Sequence, residues 1–160
     1  MANERLQDRL SRFPEYSYRA DPALARLPDD KPIIVFDGVC VLCTGFARFV
    51  VRRDPSARFR LAAAQSEFGQ ALFRHYGLDP NDFETNLLVE DGRTYGKLDA
   101  LRRILPRLAM PWPLVAPLAR PPGRLGDWCY DRIARNRYRL FGQTQTCLVP
   151  PPDWGERLIA

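Results

Sequence analysis

The stretch IIVFDGVCVLC, residues 33–43, decides how this chain is interpreted. Its first four residues are apolar and mostly β-branched, which predicts a short buried strand. An aspartate and a glycine follow, and then Cys40 and Cys43 stand three positions apart where a helix is expected to begin. A close cysteine pair is typical of a redox centre, of half a metal site, or of two buried thiols.

The sequence after this stretch predicts a mixed α/β fold. Apolar residues at helical spacing extend from Cys40 to Arg53, and a second strand is expected at 59–64. A second helix, capped by Ser66, should end near Gly77; a hairpin turning at Asp91-Gly92 and a third helix follow. The order βαβ and then ββα predicts a four-stranded mixed sheet with helices on its faces.

The remaining segments add helices at both ends of this core. Residues 1–31 form an N-terminal extension with a short amphipathic helix, residues 32–150 form one domain, and 151–160 are a tail. Six prolines between 106 and 123 indicate that no regular element runs through that segment. A further helix is expected from Leu125 to Phe141.

Composition limits the classes of protein to which the chain can belong. It has 160 residues, 46% of them apolar, and a net charge of +5, which is typical of a single globular domain. No run is long and apolar enough to span a membrane, and the first twenty residues contain no apolar segment typical of a signal peptide. We therefore expect a cytoplasmic protein, in which a close cysteine pair is more often catalytic or metal-binding than structural.

The position of Cys40 at a helix N-terminus has chemical consequences. Two residues on the first helical turn can bring their Cα atoms to the distance that a disulfide requires. The free N–H groups of that turn favour a thiolate at Cys40, so we expect Cys40 to attack and the less exposed Cys43 to resolve the mixed disulfide. Asp37 is expected to exchange a proton with Cys43, or to accept backbone hydrogen bonds in the strand–helix turn.

The other soft ligands argue against a metal site. A structural zinc site usually has two close pairs of ligands, whereas the remaining donors are His75, Cys129 and Cys147, each isolated in the sequence. Cys129 is in helical phase with Leu125 and Ile133, which predicts a buried, inert thiol. Cys147 is a candidate third redox thiol, and we expect no metal.

Several segments resemble the DCC family of thiol-disulfide oxidoreductases, named for the residues that stand here as Asp37, Cys40 and Cys43. The resemblance runs through IIVFDGVCVLCTGFARFVVRRDP, FRLAAAQSEFGQALFRHYGL, LLVEDGRTY, KLDALRRIL and YDRIARNRYRLFG, and covers residues 32–150. It implies a thioredoxin-like fold and a dithiol centre that needs no bound cofactor. It does not imply a particular substrate.

One feature departs from the wider thioredoxin pattern. Those proteins have a cis-proline opposite the cysteine pair, and the corresponding positions here are Glu84 and Thr85. We therefore take Glu84, Thr85, Gly38 and Val41 as candidate substrate contacts. The expected partners are a disulfide-containing protein or small molecule and a reducing dithiol system, and no nucleic acid is expected.

An alternative function is a non-enzymatic module that docks through residues 106–141. Trp112, Leu114 and Val115 are candidate apolar anchors, and the basic residues are Arg132, Arg135, Arg137 and Arg139. A protein partner or peripheral contact with an anionic membrane surface would suit this composition. The same segment can instead pack over the domain's own core.

Overall fold

A computed structural model describes residues 5–83, 85–119, 123–145 and 151–159 of the chain. Five strands form one sheet in the order β4-β3-β1-β2-β5. Their bounds are β1 Ile33–Phe36, β2 Arg60–Ala63, β3 Leu87–Glu90, β4 Arg93–Gly96 and β5 Leu158–Ile159. Strand β1 is parallel to β2 and antiparallel to β3, β3 and β4 form the hairpin, and β5 is parallel to β2. The mixed α/β, thioredoxin-like architecture is confirmed.

Six helices cover the two faces of the sheet in the described part of the chain. They are α1 Leu6–Leu10, α2 Val41–Arg53, α3 Glu67–His75, α4 Lys97–Ile104, α5 Trp112–Val115 and α6 Gly123–Phe141. Ser66 caps α3 by accepting a hydrogen bond from the Gly69 N–H, as expected. No helix of these ranges is both long and apolar enough to cross a membrane.

Strand β1 is central, and all four of its residues are buried. Val35 pairs with Ala62 of β2 on one side and with Leu87 of β3 on the other. Because parallel strands end at the same edge of a sheet, the residues after β1 and β2 are brought together at that edge. Asp37 and Gln65, which follow these two strands, meet there.

The sequence predicts four strands, whereas the sheet of the described residues has five. Strand β5 comes from the C-terminal tail and has only two residues, Leu158 and Ile159, which pair with Leu61 and Ala62. Two residues give no detectable alternation of apolar and polar side chains, so their position beside β2 depends on tertiary contacts. Ile159 is buried, and Trp154 just before it is also in the core.

The N-terminal segment contributes to the main core. Leu10, Tyr18, Leu24 and Leu27 are buried in the same hydrophobic cluster as Ile33 of β1 and the inner residues of α3. Burying side chains of this size contributes roughly 1.5–3 kcal/mol each. Residues 10–27 therefore pack against the sheet and stabilise it.

The proline-rich segment is partly helical. It contains α5 and two short 3-10 turns, 105–107 and 116–119. Leu108 and Ala116 are buried, and the Trp112 ring packs edge-on against Phe49 of α2 with ring centroids 4.6 Å apart. Of the two alternatives for this segment, Trp112 follows the second, because its ring contacts the domain's own core, whereas the candidate anchor Leu114 is exposed.

The predicted inward face of α6 was also wrong. Leu125 and Ile133 are 56% and 49% exposed, and Cys129 between them is an exposed free thiol. Arg137 of this helix is instead directed inward and is buried. A helix turns 100° per residue, so Arg137 lies nearly opposite Arg132 and Arg139 and is not part of their basic surface.

Candidate active site

The cysteine pair begins helix α2 as the sequence indicates. Cys40 is the N-cap residue, with extended backbone angles of φ −79° and ψ 120°, and its sulfur accepts a hydrogen bond from the Cys43 N–H at 3.4 Å. Both cysteines are free thiols. This N–H is one of the donors that a helix leaves unpaired at its start, and it is directed at the Cys40 sulfur.

The exposure of the two thiols is the reverse of the expected order. Cys40 is fully buried, whereas Cys43 is 8% exposed. Residues 142–144, here called the strap, cover Cys40. The Thr144 N–H donates to the Val39 carbonyl at 2.8 Å, and the Val41 N–H donates to the Gly142 carbonyl at 3.3 Å.

The strap is a short extended segment that leaves the end of α6. Cys40 and Gln143 form an isolated antiparallel bridge, so the strap pairs with the cysteine loop as a strand pairs with its neighbour. Gly142 has φ +83°, a left-handed conformation that glycine adopts without steric cost. This turn is what directs the chain from α6 back over Cys40.

Asp37 is completely buried and fully hydrogen-bonded beneath the pair. Its Oδ1 accepts from the Val39 N–H at 3.1 Å and from the Gln65 side-chain amide at 2.7 Å. Its Oδ2 accepts from Arg137 Nη2 at 3.3 Å and from the Tyr138 hydroxyl. The expected hydrogen bond to the strand–helix turn is therefore present, and three side chains hold the carboxylate as well.

Arg137 and Tyr138 bring helix α6 into the site. The Arg137 guanidinium also donates to the Ala134 carbonyl and to the Tyr138 hydroxyl. Burial, together with the hydrogen bond to Asp37, raises the pKa of Tyr138 to about 12, so its hydroxyl stays protonated and donates at neutral pH. The group is thus a closed network of one carboxylate, one guanidinium, one phenol and one amide.

The environment of Cys43 favours the protonated thiol. Burial is the main cause that raises the pKa of Cys43, and the hydrogen bond and charge interaction with Cys40 raise it further. The charges of Arg137 and Asp37 act on the Cys43 pKa in opposite directions: Arg137 lowers it and Asp37 raises it. Cys43 is therefore held as a protonated thiol at neutral pH.

Cys43 lies in the wall of a cavity of about 290 Å³ between α2, α4 and α6. Its apolar lining includes Leu42, Phe46, Phe83, Leu101, Ile133 and Phe141. The polar residues in the wall are Thr85, Asn86, Tyr130 and Arg137. The cavity gives the accessible sulfur of the pair an apolar environment.

The candidate substrate contacts fall in different places. The Gly38 N–H already donates to the Gln65 side chain at 2.9 Å, and Val41 is exposed at the start of α2. Thr85 lies in the cavity wall with Cys43, and its hydroxyl accepts from the Lys97 N–H at 2.8 Å. Glu84 and Cys147 are outside the described residues. Within those residues no three histidine, cysteine or acidic side chains converge to hold a metal ion.

Three residues of the site were not predicted from the sequence as part of it. Gln65 follows β2 as Asp37 follows β1, so the parallel pairing of these strands was a usable signal. Arg137 was predicted to belong to the basic surface, although its spacing from Arg132 and Arg139 is out of helical phase. No local pattern singles out Tyr138, whose partner Asp37 is 101 positions away.

Comparison with known proteins gives a consistent result. A family model described as DCC1-like thiol-disulfide oxidoreductase matches residues 34–143. The chain is 35% identical over 127 residues to YuxK of Bacillus subtilis strain 168, an alignment covering 79% of this chain and 93% of YuxK. It is 38% identical over 120 residues to a chloroplastic DCC family protein of Arabidopsis thaliana, covering 74% of this chain and 70% of that protein. No solved structure shows significant similarity.

Proposed function

Since this chain belongs to the DCC1-like thiol-disulfide oxidoreductase family, we propose that it exchanges disulfides through a Cys40–Cys43 dithiol centre. In this centre Cys40 attacks the substrate disulfide, and Cys43 resolves the mixed disulfide. The observation that supports this assignment is the hydrogen bond from the Cys43 N–H to the Cys40 sulfur at the start of α2. A thiolate at that position interacts favourably with the helix N-terminus, whereas Cys43 is held as a thiol.

The proposed reaction has two exchange steps. The Cys40 thiolate attacks one sulfur of a substrate disulfide, and the other sulfur leaves as a thiolate and takes up a proton. Cys43 then loses its proton and attacks the Cys40 sulfur, which releases the second substrate thiol and forms the Cys40–Cys43 disulfide. One substrate disulfide is reduced to two thiols as the protein dithiol is oxidised.

Asp37 is the group that we propose assists the loss of the Cys43 proton. The thiol of Cys43 resists ionisation because it is buried, and the negative charge of Asp37 adds to that resistance. Movement of a proton toward the carboxylate removes this opposing charge as the second step begins. Arg137 and Tyr138 position the carboxylate through their hydrogen bonds to Oδ2.

Access to Cys40 requires the strap to move. The strap occupies the backbone groups of Val39 and Val41 that border Cys40, so a substrate reaches the sulfur only when these hydrogen bonds open. Two backbone hydrogen bonds contribute roughly 1–3 kcal/mol together, which thermal opening overcomes readily. Reduction of the protein disulfide would come from a separate dithiol system, and we place the protein in the cytoplasm.

Two cysteine variants test the proposed function. Cys40→Ser should abolish reduction of glutathione disulfide, and Cys43→Ser should accumulate a mixed disulfide on Cys40 that peptide mass spectrometry locates. Cys129→Ser is the matched control, because that thiol is exposed and does not line the cavity beside Cys43, and it should react like wild type. Undiminished reduction by both Cys40→Ser and Cys43→Ser contradicts the proposal, and trapping on Cys43 in the Cys40→Ser variant reverses the roles.

A second candidate function is docking on an anionic membrane surface through the exposed face of α6. Leu125, Trp128 and Leu140 are more than half exposed on this helix. Arg132, Arg135 and Arg139 are exposed beside them. The acids of the helix that the structure describes, Asp127 and Asp131, are paired with Arg5 and Lys97. An exposed face with apolar and basic residues suits the surface of an anionic bilayer.

Liposome co-sedimentation tests the docking function. Vesicles of phosphatidylglycerol should bind the protein at low salt, and phosphatidylcholine vesicles should not. Arg132→Glu should weaken binding several-fold, since each basic residue near such a surface contributes about 1 kcal/mol. Arg58→Glu, an exposed charge reversal outside α6, is the control and should bind like wild type. Equal loss of vesicle binding in the two variants, or no binding of wild type to phosphatidylglycerol vesicles at low or at high salt, would rule out this docking function.

A further inference from the structure

The cavity beside Cys43 is small and has a largely apolar wall. Its volume of about 290 Å³ is at the lower end of the range of about 300–1,000 Å³ for ligand pockets. Phe46 and Leu42 come from α2, Leu101 from α4, and Ile133 and Phe141 from α6. A ligand held here would be compact and would contact aromatic and aliphatic side chains on several sides.

The charges in the wall exclude a strongly ionic ligand. Of the described residues that line the cavity, Arg137 is the only one with a formal charge, and it is paired with the Asp37 carboxylate at 3.3 Å. A ligand ammonium or carboxylate entering the cavity would lose its hydration without gaining an unpaired counter-charge, which is costly. Glutathione has two carboxylates and one ammonium, so it is poorly matched to this wall.

One buried polar atom in the wall lacks a partner. Arg137 Nε is buried and has no hydrogen bond within the described residues, although the other nitrogens of the same guanidinium donate to Ala134, Asp37 and Tyr138. Buried donors without an acceptor are rare in folded proteins. The side chain of Arg137 lines the cavity, so a neutral acceptor on a bound ligand is a suitable partner for this N–H.

We propose that the cavity is the substrate subsite of the dithiol centre and that it selects compact, uncharged, predominantly apolar disulfides, with an aromatic group placed against Cys43. This inference rests on the proposed function. The group in the cavity stays bound to Cys40 as a mixed disulfide after the first exchange, while the other half leaves as a thiol. Attack of Cys43 on Cys40 then breaks the mixed disulfide and releases the apolar thiol beside Cys43.

Single-turnover kinetics test the proposed selectivity without an added reductant. The reduced protein, with Cys129→Ser and Cys147→Ser to remove other thiols, is mixed with 2,2′-dithiodipyridine or with glutathione disulfide. The first probe is neutral, aromatic and has ring nitrogens as acceptors, and the second is charged. The second-order rate constant of each variant is divided by that of the parent protein for the same disulfide. Differences in intrinsic reactivity between the two disulfides therefore cancel.

Ile133→Asn in the cavity wall should lower the rate constant for 2,2′-dithiodipyridine about tenfold, the usual effect of a changed apolar contact in a pocket. The rate constant for glutathione disulfide should change less than twofold. Met110→Asn is the control, because Met110 is 62% exposed and does not line the cavity. Ile133 is 49% exposed and Met110 is 62% exposed, so neither asparagine is placed in the core, and thermal melting confirms that both variants fold.

The outcomes separate the two claims. Selective loss with Ile133→Asn and none with Met110→Asn supports the subsite. Equal effects on both disulfides, or no effect on either, overturn the subsite while Cys40-dependent turnover remains. If the parent protein reacts no faster than its Cys40→Ser variant with either disulfide, the dithiol function itself fails, and the subsite fails with it.

Discussion

Asp37 and Arg137, one hundred positions apart, form a buried ion pair in which Oδ2 and Nη2 are 3.3 Å apart and the side chains are 0% and 5% exposed. This pair connects the turn between β1 and α2, where Cys40 is the N-cap, to helix α6, and α6 in turn leads into the strap over Cys40. The Asp37–Arg137 pair therefore acts together with the Tyr138 hydrogen bond and the strap's backbone hydrogen bonds to hold α6 against the cysteine site.

We expect Asp37→Asn to destabilise the reduced protein by about 3–5 kcal/mol, because it leaves the buried Arg137 charge without its partner. Urea unfolding followed by circular dichroism measures this change. Asp30→Asn is the control, since Asp30 pairs with Arg60 at 3.0 Å but is 61% exposed. That substitution should cost less than about 1 kcal/mol. Similar losses of unfolding free energy in the two variants would show that the buried Asp37–Arg137 pair stabilises the protein no more than an exposed ion pair does.

The three free thiols that the structure describes should differ in their reaction with iodoacetamide. Cys129 is exposed and should be modified first in the native, reduced protein, whereas Cys40 and Cys43 are buried and should react much more slowly. Timed quenching and peptide mass spectrometry give the order. Protection of Cys129 at a level equal to that of Cys40 would mean that the outer face of α6 is covered in solution.

Weakening the strap should expose Cys40. Thr144→Pro removes the N–H that donates to Val39, and loss of about 1 kcal/mol should raise the rate of Cys40 alkylation about fivefold. Thr144→Val keeps the backbone donor and removes the longer hydroxyl bond to the same carbonyl, so its rate should stay near that of wild type. Identical Cys40 rates in the proline and valine variants would argue against the strap as the cover of this thiol.

Stability of the reduced protein should fall in alkaline solution because of Cys43. Burial raises the pKa of this thiol above its ordinary value of 9.0, so above that pH the unfolded chain releases a proton that the folded protein keeps. The folded state therefore loses stability as pH rises, by about 1 kcal/mol between pH 9 and pH 10. Urea unfolding of wild type and Cys43→Ala over this range isolates the effect, and parallel curves for the two proteins would contradict it.

The parts of the fold that the sequence predicted are those with local signals. Strand β1, the start of α2 at Cys40 and the hairpin turn at Asp91-Gly92 each follow from a short run of residues whose conformational preferences agree. The turn residues both have positive φ, as a tight hairpin requires. The positions of Asp37 after β1, of Cys40 at the N-cap of α2 and of Cys43 in its first turn could be predicted for the same reason.

The remaining features depend on contacts between distant segments. On α6, Leu125 and Cys129 are exposed, and Ile133 lines the cavity although it is 49% exposed, so a search for an apolar stripe does not identify the buried residues of this helix. Its inward Arg137 pairs with Asp37, and Cys40 forms a bridge with a strap more than one hundred residues later. None of these pairings leaves a periodic pattern in the sequence.

Differential alkylation across a series of redox buffers tests the dithiol centre most directly. In a Cys129→Ser protein, we predict that Cys40 and Cys43 lose reactivity together as the buffer becomes oxidising. Peptide mass spectrometry should identify one reversible Cys40–Cys43 disulfide. Its transition should be that of a two-electron couple, in which the ratio of oxidised to reduced protein changes tenfold for each step of about 30 mV. Cysteines that remain separately alkylatable at every potential, or that form only mixed disulfides with the buffer thiol, would contradict the central claim.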